Sequence, residues 1–185
     1  MKLLDIQKKH DGKFIKYYEM KYLNKVGNEK IYEMVAMHDI KSVDDIGKVT
    51  SGLSIIAYTD DKILLLKEYR MAVHEEVINL CAGMIEPGES IEESARRELY
   101  EETGLEIEEI THVLPPVYAA VGISDVKTQV VFAKVKGTIS DHSEEDESIV
   151  AGLYTKEEVM KLMETYNFSS KAQMAAFFFI NDKLF

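Results

Sequence analysis

Three glutamates near the middle of the chain are spaced so that a helix would bring their carboxylates together. Glu98, Glu101 and Glu102 stand at positions i, i+3 and i+4, and residues with this spacing lie on one helix face. Carboxylates placed in this way repel one another, and a divalent cation between them removes the repulsion. Hard cations such as Mg²⁺ take carboxylate oxygens and keep several waters for phosphate substrates. The spacing therefore indicates a metal site suited to phosphate chemistry.

The residues around these glutamates predict the helix that must hold them, from about Ser90 to Thr103. Ser90 precedes Glu93 by three residues, which is the spacing of a capping box. Gly104 stands where a helix would end in a left-handed residue. An apolar stripe for the core recurs every four residues, at Ile91, Ala95 and Leu99.

The stretch from Gly83 to Leu105 resembles the Nudix box over its whole pattern. The matching positions are Gly83, Glu89, Arg97, Glu98, Leu99, Glu101, Glu102, Gly104 and Leu105. Nine specified positions in one frame are far more specific than a lone glycine motif. The alternative is a solvated acidic helix that binds nothing, and such a helix does not need two glycines and an arginine in this frame.

The resemblance implies an α/β fold, the Nudix α/β/α sandwich with a mixed sheet, and a bound Mg²⁺ or Mn²⁺ ion. The ligands it implies are Glu98, Glu102, Glu101 (directly or through water) and the carbonyl of Ala82. The supporting residues it implies are Gly83, Glu89 and Gly104. Glu101 and Arg97 are also counted among the catalytic residues. Arg97 stands four residues before Glu101 and would hold the carboxylate helix by ion pairing rather than do chemistry.

Composition sets further bounds on the chain. Its 185 residues, 46% of them hydrophobic, predict one domain with a small N-terminal addition. The net charge of -11 argues against general binding to nucleic acid or to an anionic membrane. A single cysteine, Cys81, cannot form an intrachain disulfide, which fits a reducing cytoplasm. We find no apolar run long enough for a signal peptide or a membrane span.

Two extended patterns precede the box region. Residues 14–22 and 31–37 are rich in aromatic and apolar side chains and predict an antiparallel strand pair. A strand pair with so many apolar side chains must pack against another surface. That surface belongs either to the main domain or to a second subunit. We therefore predict a dimerisation element at residues 1–48 and a Nudix hydrolase domain at residues 49–185. The final helix is predicted to begin at Ser169 or Ser170, with Met174, Phe177 and Phe178 on its apolar side.

Features outside the box are similar to the ADP-ribose pyrophosphatase branch of the Nudix hydrolases. They are the strand pair, which in that branch helps to form a homodimer, the run Glu68-Tyr69-Arg70, and the dipeptide Ala82-Gly83. The departures are Asn79 in place of glutamate, Cys81 in place of proline, and a loop at residues 121–125 without Ser-Pro-Gly. These departures bear on the preferred sugar or nucleoside and leave the metal-binding box intact.

Candidate substrate-binding residues lie just before the box. The planar guanidinium of Arg70 suits bidentate phosphate contact, and the alternative is a structural salt bridge. Tyr69 is a candidate for stacking on a base, although a strand tyrosine is more often core. Asn79 is included because it departs from the branch. His74 is expected at the surface, without a catalytic role.

A general base is expected in the acidic loop at residues 137–148. By resemblance, Glu145 is the base and Glu147 an additional metal ligand. The two residues are two positions apart, so an extended segment would point both side chains the same way. The alternative is a loop that is merely solvated, and His142 in it is expected to be a surface residue.

The sequence therefore predicts metal-dependent hydrolysis of a pyrophosphate bond in a nucleoside diphosphate linked to another moiety. By resemblance, the first substrate is ADP-ribose, cleaved to AMP and ribose 5-phosphate by a homodimer. One alternative keeps the chemistry and takes another nucleoside diphosphate sugar. A second, from a different class, is a non-catalytic nucleotide sensor, against which the intact set of box glutamates argues.

Overall fold

The computed structural model describes residues 1–140 and 148–184. Within these ranges the strands are β1 (Lys2–Asp11), β2 (Lys16–Leu23), β3 (Glu29–Ala36), β4 (Thr50–Tyr58), β5 (Ile63–Arg70), β6 (Glu75–Asn79), β7 (Cys81–Met84), β8 (Glu106–Val113), β9 (Val117–Tyr118), β10 (Lys127–Lys136), β11 (Ile149–Tyr154) and β12 (Asn167–Phe168). The helices are α1 (Ile91–Thr103), α2 (Lys156–Thr165) and α3 (Ser170–Ile180). No helix of the described ranges is long and apolar enough to cross a membrane.

The chain divides into two compact units. We call Met1–Ser51 with Pro116–Thr128 the N-terminal unit, and Gly52–Pro115 with Gln129–Phe185 the box unit. The N-terminal unit contains an antiparallel sheet in the order β1-β2-β3. Its core is formed by Tyr18, Met20, Met34, Ala36 and Ile40.

The predicted N-terminal strand pair is confirmed as β2 and β3, but a third strand, β1, was missed. Nearly all of β1 is exposed, with only Leu3 and Ile6 partly buried. Its many charged residues hide the apolar alternation on which strand prediction depends. Such charges are also what protects an edge strand from pairing with another chain.

The second sheet is mixed and carries helices on both faces. Its main order is β12-β6-β5-β4-β10-β8, with β11 paired to β5, β7 to β4 and β9 to β10. The β12–β6 pair is parallel, whereas β5 is antiparallel to β6 and β11. The central strands β4 and β5 are nearly continuous runs of buried apolar residues, as expected for strands covered on both faces.

Two hydrophobic clusters show which helix covers which face. The first joins alternate residues of β4 and β5, such as Ile55 and Leu64, to Ala95 and Leu99 of α1. The second joins Ile56 and other residues to α2 and α3. The predicted α/β/α sandwich with a mixed sheet is therefore confirmed, and α1 lies alone on the face where the box glutamates are found.

The predicted apolar side of the last helix was wrong. Met174, Phe177 and Phe178 are 57%, 50% and 36% exposed. The buried side of α3 consists instead of Ala172, Ala175, Ala176 and Phe179. This helix is apolar nearly all round, so periodicity does not distinguish its two sides. The small alanines let the helix backbone approach the sheet, and Phe179 is the one large aromatic side chain of this helix on its buried side.

Candidate active site

The predicted helix boundaries are confirmed at both ends of α1. At its start, the Ser90 hydroxyl accepts a hydrogen bond from the Glu93 amide at 3.2 Å, and the Glu93 carboxylate accepts one from the Ser90 amide at 2.8 Å. This reciprocal pair is a capping box. At its end, Gly104 has φ 70° and its amide bonds to the carbonyl of Tyr100. The second half of the box therefore forms one helix of 13 residues, which fixes the spacing of Glu98, Glu101 and Glu102.

Arg97 connects the helix to the turn before it. Its Nε and Nη2 donate to the two oxygens of Glu89, both at 2.9 Å. Its Nη1 donates to Glu98 at 2.9 Å and to Glu101 at 3.0 Å, and Nη2 also donates to the carbonyl of Met84 at 3.0 Å. A guanidinium has five N–H donors, and each of the five bonds here uses one. Arg97 is thus fully occupied by the protein.

Glu89 is held in its charged form by this contact. The Arg97 guanidinium and the Ser94 hydroxyl, which donates at 2.6 Å, lower the pKa of Glu89 to about 2. In turn the Glu89 carboxylate raises the pKa of Arg97. Two fixed opposite charges therefore join the start of α1 to its middle. The buried Ser94 was not singled out from the sequence, because a lone serine in a helix carries no specific signal.

Gly83 lies directly against the carboxylate of Glu98. A Cβ added at Gly83 would come within 1.9 Å of the Glu98 Cδ. Strand β7 pairs with β4, where Gly83 faces Leu53 and Ala82 faces Ser54. The sheet therefore fixes the backbone at this point, and only glycine lets Glu98, whose side chain is 13% exposed, lie so close to it.

Glu102 is the second partly buried carboxylate on this side of the helix. It accepts a hydrogen bond from the Ala82 amide at 3.2 Å. Burial raises its pKa to about 8, and the negative charges of Glu98 and Glu68 act in the same direction. Burial also raises the pKa of the Cys81 thiol, with a further contribution from Glu102. A buried thiol in this negative surrounding is inert, so Cys81 is not a nucleophile here.

These carboxylates fit a divalent cation. Glu98 and Glu102 share one partly buried region, and their mutual repulsion contributes to the raised pKa of Glu102. A bound cation would reverse that effect, since an opposite charge favours the ionised carboxylate. Across residues 1–140 and 148–184, no group of three or more His, Cys, Asp or Glu side chains is arranged to hold a metal ion by itself. Any ion here would therefore also need other oxygen ligands.

The third glutamate of the predicted face lies differently from the other two. The Glu101 side chain is 52% exposed and is paired with Arg97. Glu98 is also paired with Arg97, but its side chain is only 13% exposed, so exposure is what distinguishes Glu101 from it. The structure thus brings together Glu98 and Glu102 beside Ala82 and Gly83, and it leaves Glu101 at the rim.

The predicted substrate residues Arg70 and Asn79 meet through Glu68. The Arg70 guanidinium donates to one oxygen of Glu68, and the Asn79 amide donates to the other at 2.8 Å. Asn79 also accepts a 2.7 Å bond from Ser169. Glu68 was missed as a site residue. Its signal was the alternation of β5, which points Glu68 and Arg70 to the same side of the sheet.

A cleft of about 300 Å³ runs beside this group. It is lined by Glu68, Tyr69, Arg70, Met71, Ala72, Ser148 and Ile149. The Arg70 side chain is 54% exposed, so its face remains accessible although it is paired. Tyr69 is 37% exposed and is not a core residue. Its hydroxyl is 2.6 Å from Nδ1 of His74, which lies at a turn with φ 56°.

The predicted base Glu145 and the predicted ligand Glu147 lie outside the described residues, as does His142. Both glutamates remain predictions. The described chain resumes at Ser148, whose carbonyl accepts a hydrogen bond from the Tyr69 amide at 3.0 Å. Ser148, the residue that follows Glu147 in the sequence, therefore lies beside β5 and the cleft.

Comparison with known proteins identifies the family of this chain. The NUDIX domain model matches residues 49–177. The chain belongs to the NUDIX domain family. The Nudix box at residues 83–105 lies within this match, and the predicted resemblance to the family is confirmed.

The curated relatives of this Nudix chain include proteins named for ADP-linked substrates. The ADP-ribose pyrophosphatase of Bacillus subtilis (strain 168) is 31% identical over 65% of this chain and 66% of the relative. The ADP-sugar pyrophosphatase of Mus musculus is 30% identical over 69% of this chain and 58% of the relative. The chain thus spans about three fifths to two thirds of the length of these relatives. A crystal structure of an ADP compounds hydrolase has a TM-score of 0.75 at 20% identity, over 98% of this chain and 94% of that one, which shows the fold.

Proposed function

We propose that this protein is a metal-dependent pyrophosphohydrolase that cleaves ADP-ribose to AMP and ribose 5-phosphate. The observation that carries the proposal is the pair Glu98 and Glu102, held beside β7 with a pKa raised by burial at Glu102. A partly buried carboxylate whose ionised form is disfavoured, next to the carboxylate of Glu98, forms a site for Mg²⁺ or Mn²⁺, because an opposite charge favours ionisation. The names of the relatives support ADP-linked substrates.

We assign each of these residues a separate role in the reaction. Glu98, Glu102 and the carbonyl of Ala82 would hold the ion, with Glu101 at the rim. Such an ion neutralises phosphate oxygens, orients them and lowers the pKa of bound water. Arg97 and Glu89 keep the helix in place, and Glu145 is proposed to take the proton from the attacking water, with Glu147 as a further ligand.

Arg70 and Asn79 are proposed to bind the substrate from the cleft beside β5. The guanidinium of Arg70 is paired with one carboxylate, Glu68, and one such bond leaves most of its five donors for phosphate oxygens. Tyr69 lines the same cleft and offers a ring face. We further propose a homodimer in the cytoplasm, with residues 1–48 as the dimerisation element and 49–185 as the hydrolase domain.

A second candidate substrate is another ADP-sugar, and Asn79 favours it. Asn79 stands where the ADP-ribose branch usually has glutamate, and here it bridges Glu68 and Ser169. A neutral amide in place of a carboxylate changes the hydrogen bonds offered to a sugar hydroxyl. A change of this kind alters which sugar is accepted without altering the chemistry at the phosphates.

A substrate panel decides between these candidates. Purified protein with Mg²⁺ or Mn²⁺ is given ADP-ribose, other ADP-sugars and non-adenine sugar nucleotides, and phosphate is measured after coupling to a phosphatase. We expect the highest kcat/KM with ADP-ribose, loss of activity in Glu98→Gln, and full activity in Glu92→Gln, an exposed box glutamate. No phosphate release from any of these substrates would refute the proposed catalytic activity and favour a nucleotide sensor.

The base is tested separately from the substrate. Glu145→Gln should lower kcat and remove the acidic limb of its pH profile, because the base must be ionised to accept a proton. Glu147→Gln should instead raise the metal concentration that is needed for half-maximal activity, because it removes a proposed metal ligand. Near-full turnover in both variants would exclude this loop as the source of the base.

A further inference from the structure

A second cavity, of about 250 Å³, lies wholly within the N-terminal unit. One wall comes from β2 and β3, and the other from Tyr118 and residues 121–125. Its lining is mainly aromatic and thioether, with Met20, Tyr22, Tyr32, Met34 and Tyr118 among the contributors. Sites for drug-sized ligands span roughly 300–1,000 Å³, so this cavity suits a smaller molecule.

Hydrogen bonds to β3 hold the 121–125 segment in place over the cavity. The Val35 amide donates to the carbonyl of Ile123 at 2.8 Å. The Tyr32 hydroxyl donates to the carbonyl of Gly122 at 2.5 Å. Val35 also forms a bridge with Ser124. Two hydrogen bonds and a bridge to β3 therefore hold this wall in place.

One charged side chain lines this cavity, and it is only half satisfied. Asp125 is 4% exposed. Its Oδ2 accepts a 2.9 Å hydrogen bond from the Gly47 amide, whereas its Oδ1 is buried without a hydrogen-bond partner. A buried acceptor left unpaired costs free energy, and more so when it carries charge. The arrangement is therefore suited to a ligand that donates to Oδ1.

The neighbouring side chains of His38 and Lys127 do not supply that donor. His38 Nε2 is 3.5 Å from Asp125 Oδ2, on the oxygen already bonded to Gly47, and makes no hydrogen bond of its own. The Lys127 ammonium lies over the Tyr118 ring, 4.8 Å from its centroid. That contact shows that a ring of this lining accepts a cation on its face.

We propose that this cavity binds a small organic ammonium ion, with an N–H group donating to Asp125 Oδ1 and alkyl or aryl carbons against the tyrosines and methionines. Tyrosine faces attract cations within about 6 Å of the ring centroid. The carboxylate supplies the counter-charge, and the apolar lining excludes strongly hydrated inorganic ions.

Other classes of ligand do not match both the negative charge of Asp125 and the free acceptor at its Oδ1. An anion would meet the buried carboxylate and be repelled. A purely apolar molecule would leave Oδ1 without a donor. A neutral alcohol or nucleoside would provide a donor but no charge to offset Asp125. The site is separate from the box and goes beyond the proposed hydrolysis, on which it does not rest.

Binding of three matched probes to the full chain tests the ligand class. Benzylammonium, benzyl alcohol and benzoate share one ring and differ in charge, and their affinities are measured by calorimetry at 0.15 M salt. We expect saturable one-to-one binding of benzylammonium, at least tenfold weaker binding of benzyl alcohol, and no binding of benzoate. Equal binding of the alcohol would overturn the assignment, and so would adenosine binding more tightly than the amine.

Variants place the binding at this cavity. Asp125→Asn keeps an acceptor for the Gly47 amide and removes the charge, so benzylammonium should bind at least tenfold more weakly. Asp44→Asn removes an exposed carboxylate of the same unit and should change nothing, which controls for the overall charge of -11. Val121→Trp fills the cavity mouth from a residue that is 76% exposed, so it tests the site even where Asp125→Asn does not fold. Unchanged binding in either cavity variant refutes the proposal.

Discussion

Two glutamates of the same box behave in opposite ways. Glu89, before the helix, has its pKa lowered to about 2 by Arg97 and Ser94. Glu102, in the last turn of α1, has its pKa raised to about 8 by burial. The negative end of the helix dipole adds to the disadvantage of charge at the second position. The residue type is the same, so the difference lies entirely in the partners that the fold provides.

This contrast distinguishes two parts of the box. In one part the protein's own donors stabilise the charged carboxylate, and in the other they do not. Around Arg97 every donor is paired, and the network is a structural joint. At Glu102, by contrast, burial and the negative charges of Glu98 and Glu68 disfavour the ionised carboxylate. A site that is costly for the folded chain alone is one that a ligand can stabilise, and we infer that a divalent cation is that ligand.

The largest effect is expected from Glu102→Gln. Removing the proposed metal-ligating charge should lower kcat on ADP-ribose by about 10³-fold, since a metal ion contributes several kcal/mol of transition-state stabilisation. The metal-free variant should nevertheless be no less stable than the parent at pH 8, because a neutral amide is easier to bury than a carboxylate. Steady-state kinetics and thermal unfolding in chelator measure the two quantities. A variant that loses stability and keeps turnover would show that Glu102 is a structural residue and not a metal ligand.

Gly83→Ala should come next. The new methyl would lie 1.9 Å from the present position of the Glu98 Cδ, so the carboxylate must move. A displacement of about 1 Å at a catalytic group costs roughly 10²-fold in rate. The far end of a side chain can shift, so the melting temperature should change little. Titration with Mn²⁺ should show weaker metal binding. Gly122→Ala is the matched control for the metal titration, because no atom lies within 4 Å of its Cβ position and its backbone is not in the left-handed region.

Arg97→Lys tests the part of the box in which the protein's own donors stabilise the charged carboxylate. Lysine keeps the charge but cannot make the two-oxygen contact with Glu89, so we expect a loss of about 2 kcal/mol in the free energy of unfolding. Turnover should fall about tenfold, as for other residues that orient metal ligands. Urea unfolding and kinetics on one preparation measure both. An unchanged unfolding midpoint would show that the network is not a structural joint.

The same contrast explains what could be predicted from the sequence. Ser90, Glu93 and Gly104 act locally, so the ends of α1 followed from spacing alone. The pairing of Arg97 with Glu101 followed from the helix period. The difference between Glu89 and Glu102 did not, because it depends on β7 and on which side of the helix the sheet covers. Spacing places the three glutamates on one face, whereas tertiary packing decides which of them is buried.

Long-range packing also accounts for the other differences. Glu68 joins Arg70 to Asn79 across neighbouring strands, and no local pattern announces that contact. The exposed side of α3 was mistaken because its large side chains were taken for its buried ones. Strand β1 was missed because its charges suit an edge. For α3 the deciding neighbour is the sheet, which is distant in the sequence, whereas β1 pairs with β2, the next strand of the chain.

The smallest expected effect is a pH dependence of stability in the metal-free protein. Glu102 has an ordinary pKa of 4.5, which is raised to about 8 in the folded chain. Between these values the folded chain holds a proton that the unfolded chain has released, so this group makes stability fall as pH rises. We expect the melting temperature in chelator to drop by a few degrees from pH 5.5 to 8, and the drop to be smaller in Glu102→Gln. Added Mg²⁺ should stabilise the parent increasingly over the same range, because binding displaces that proton. Stabilisation by Mg²⁺ that is equal at pH 5.5 and 8 would show that Glu102 does not hold the ion.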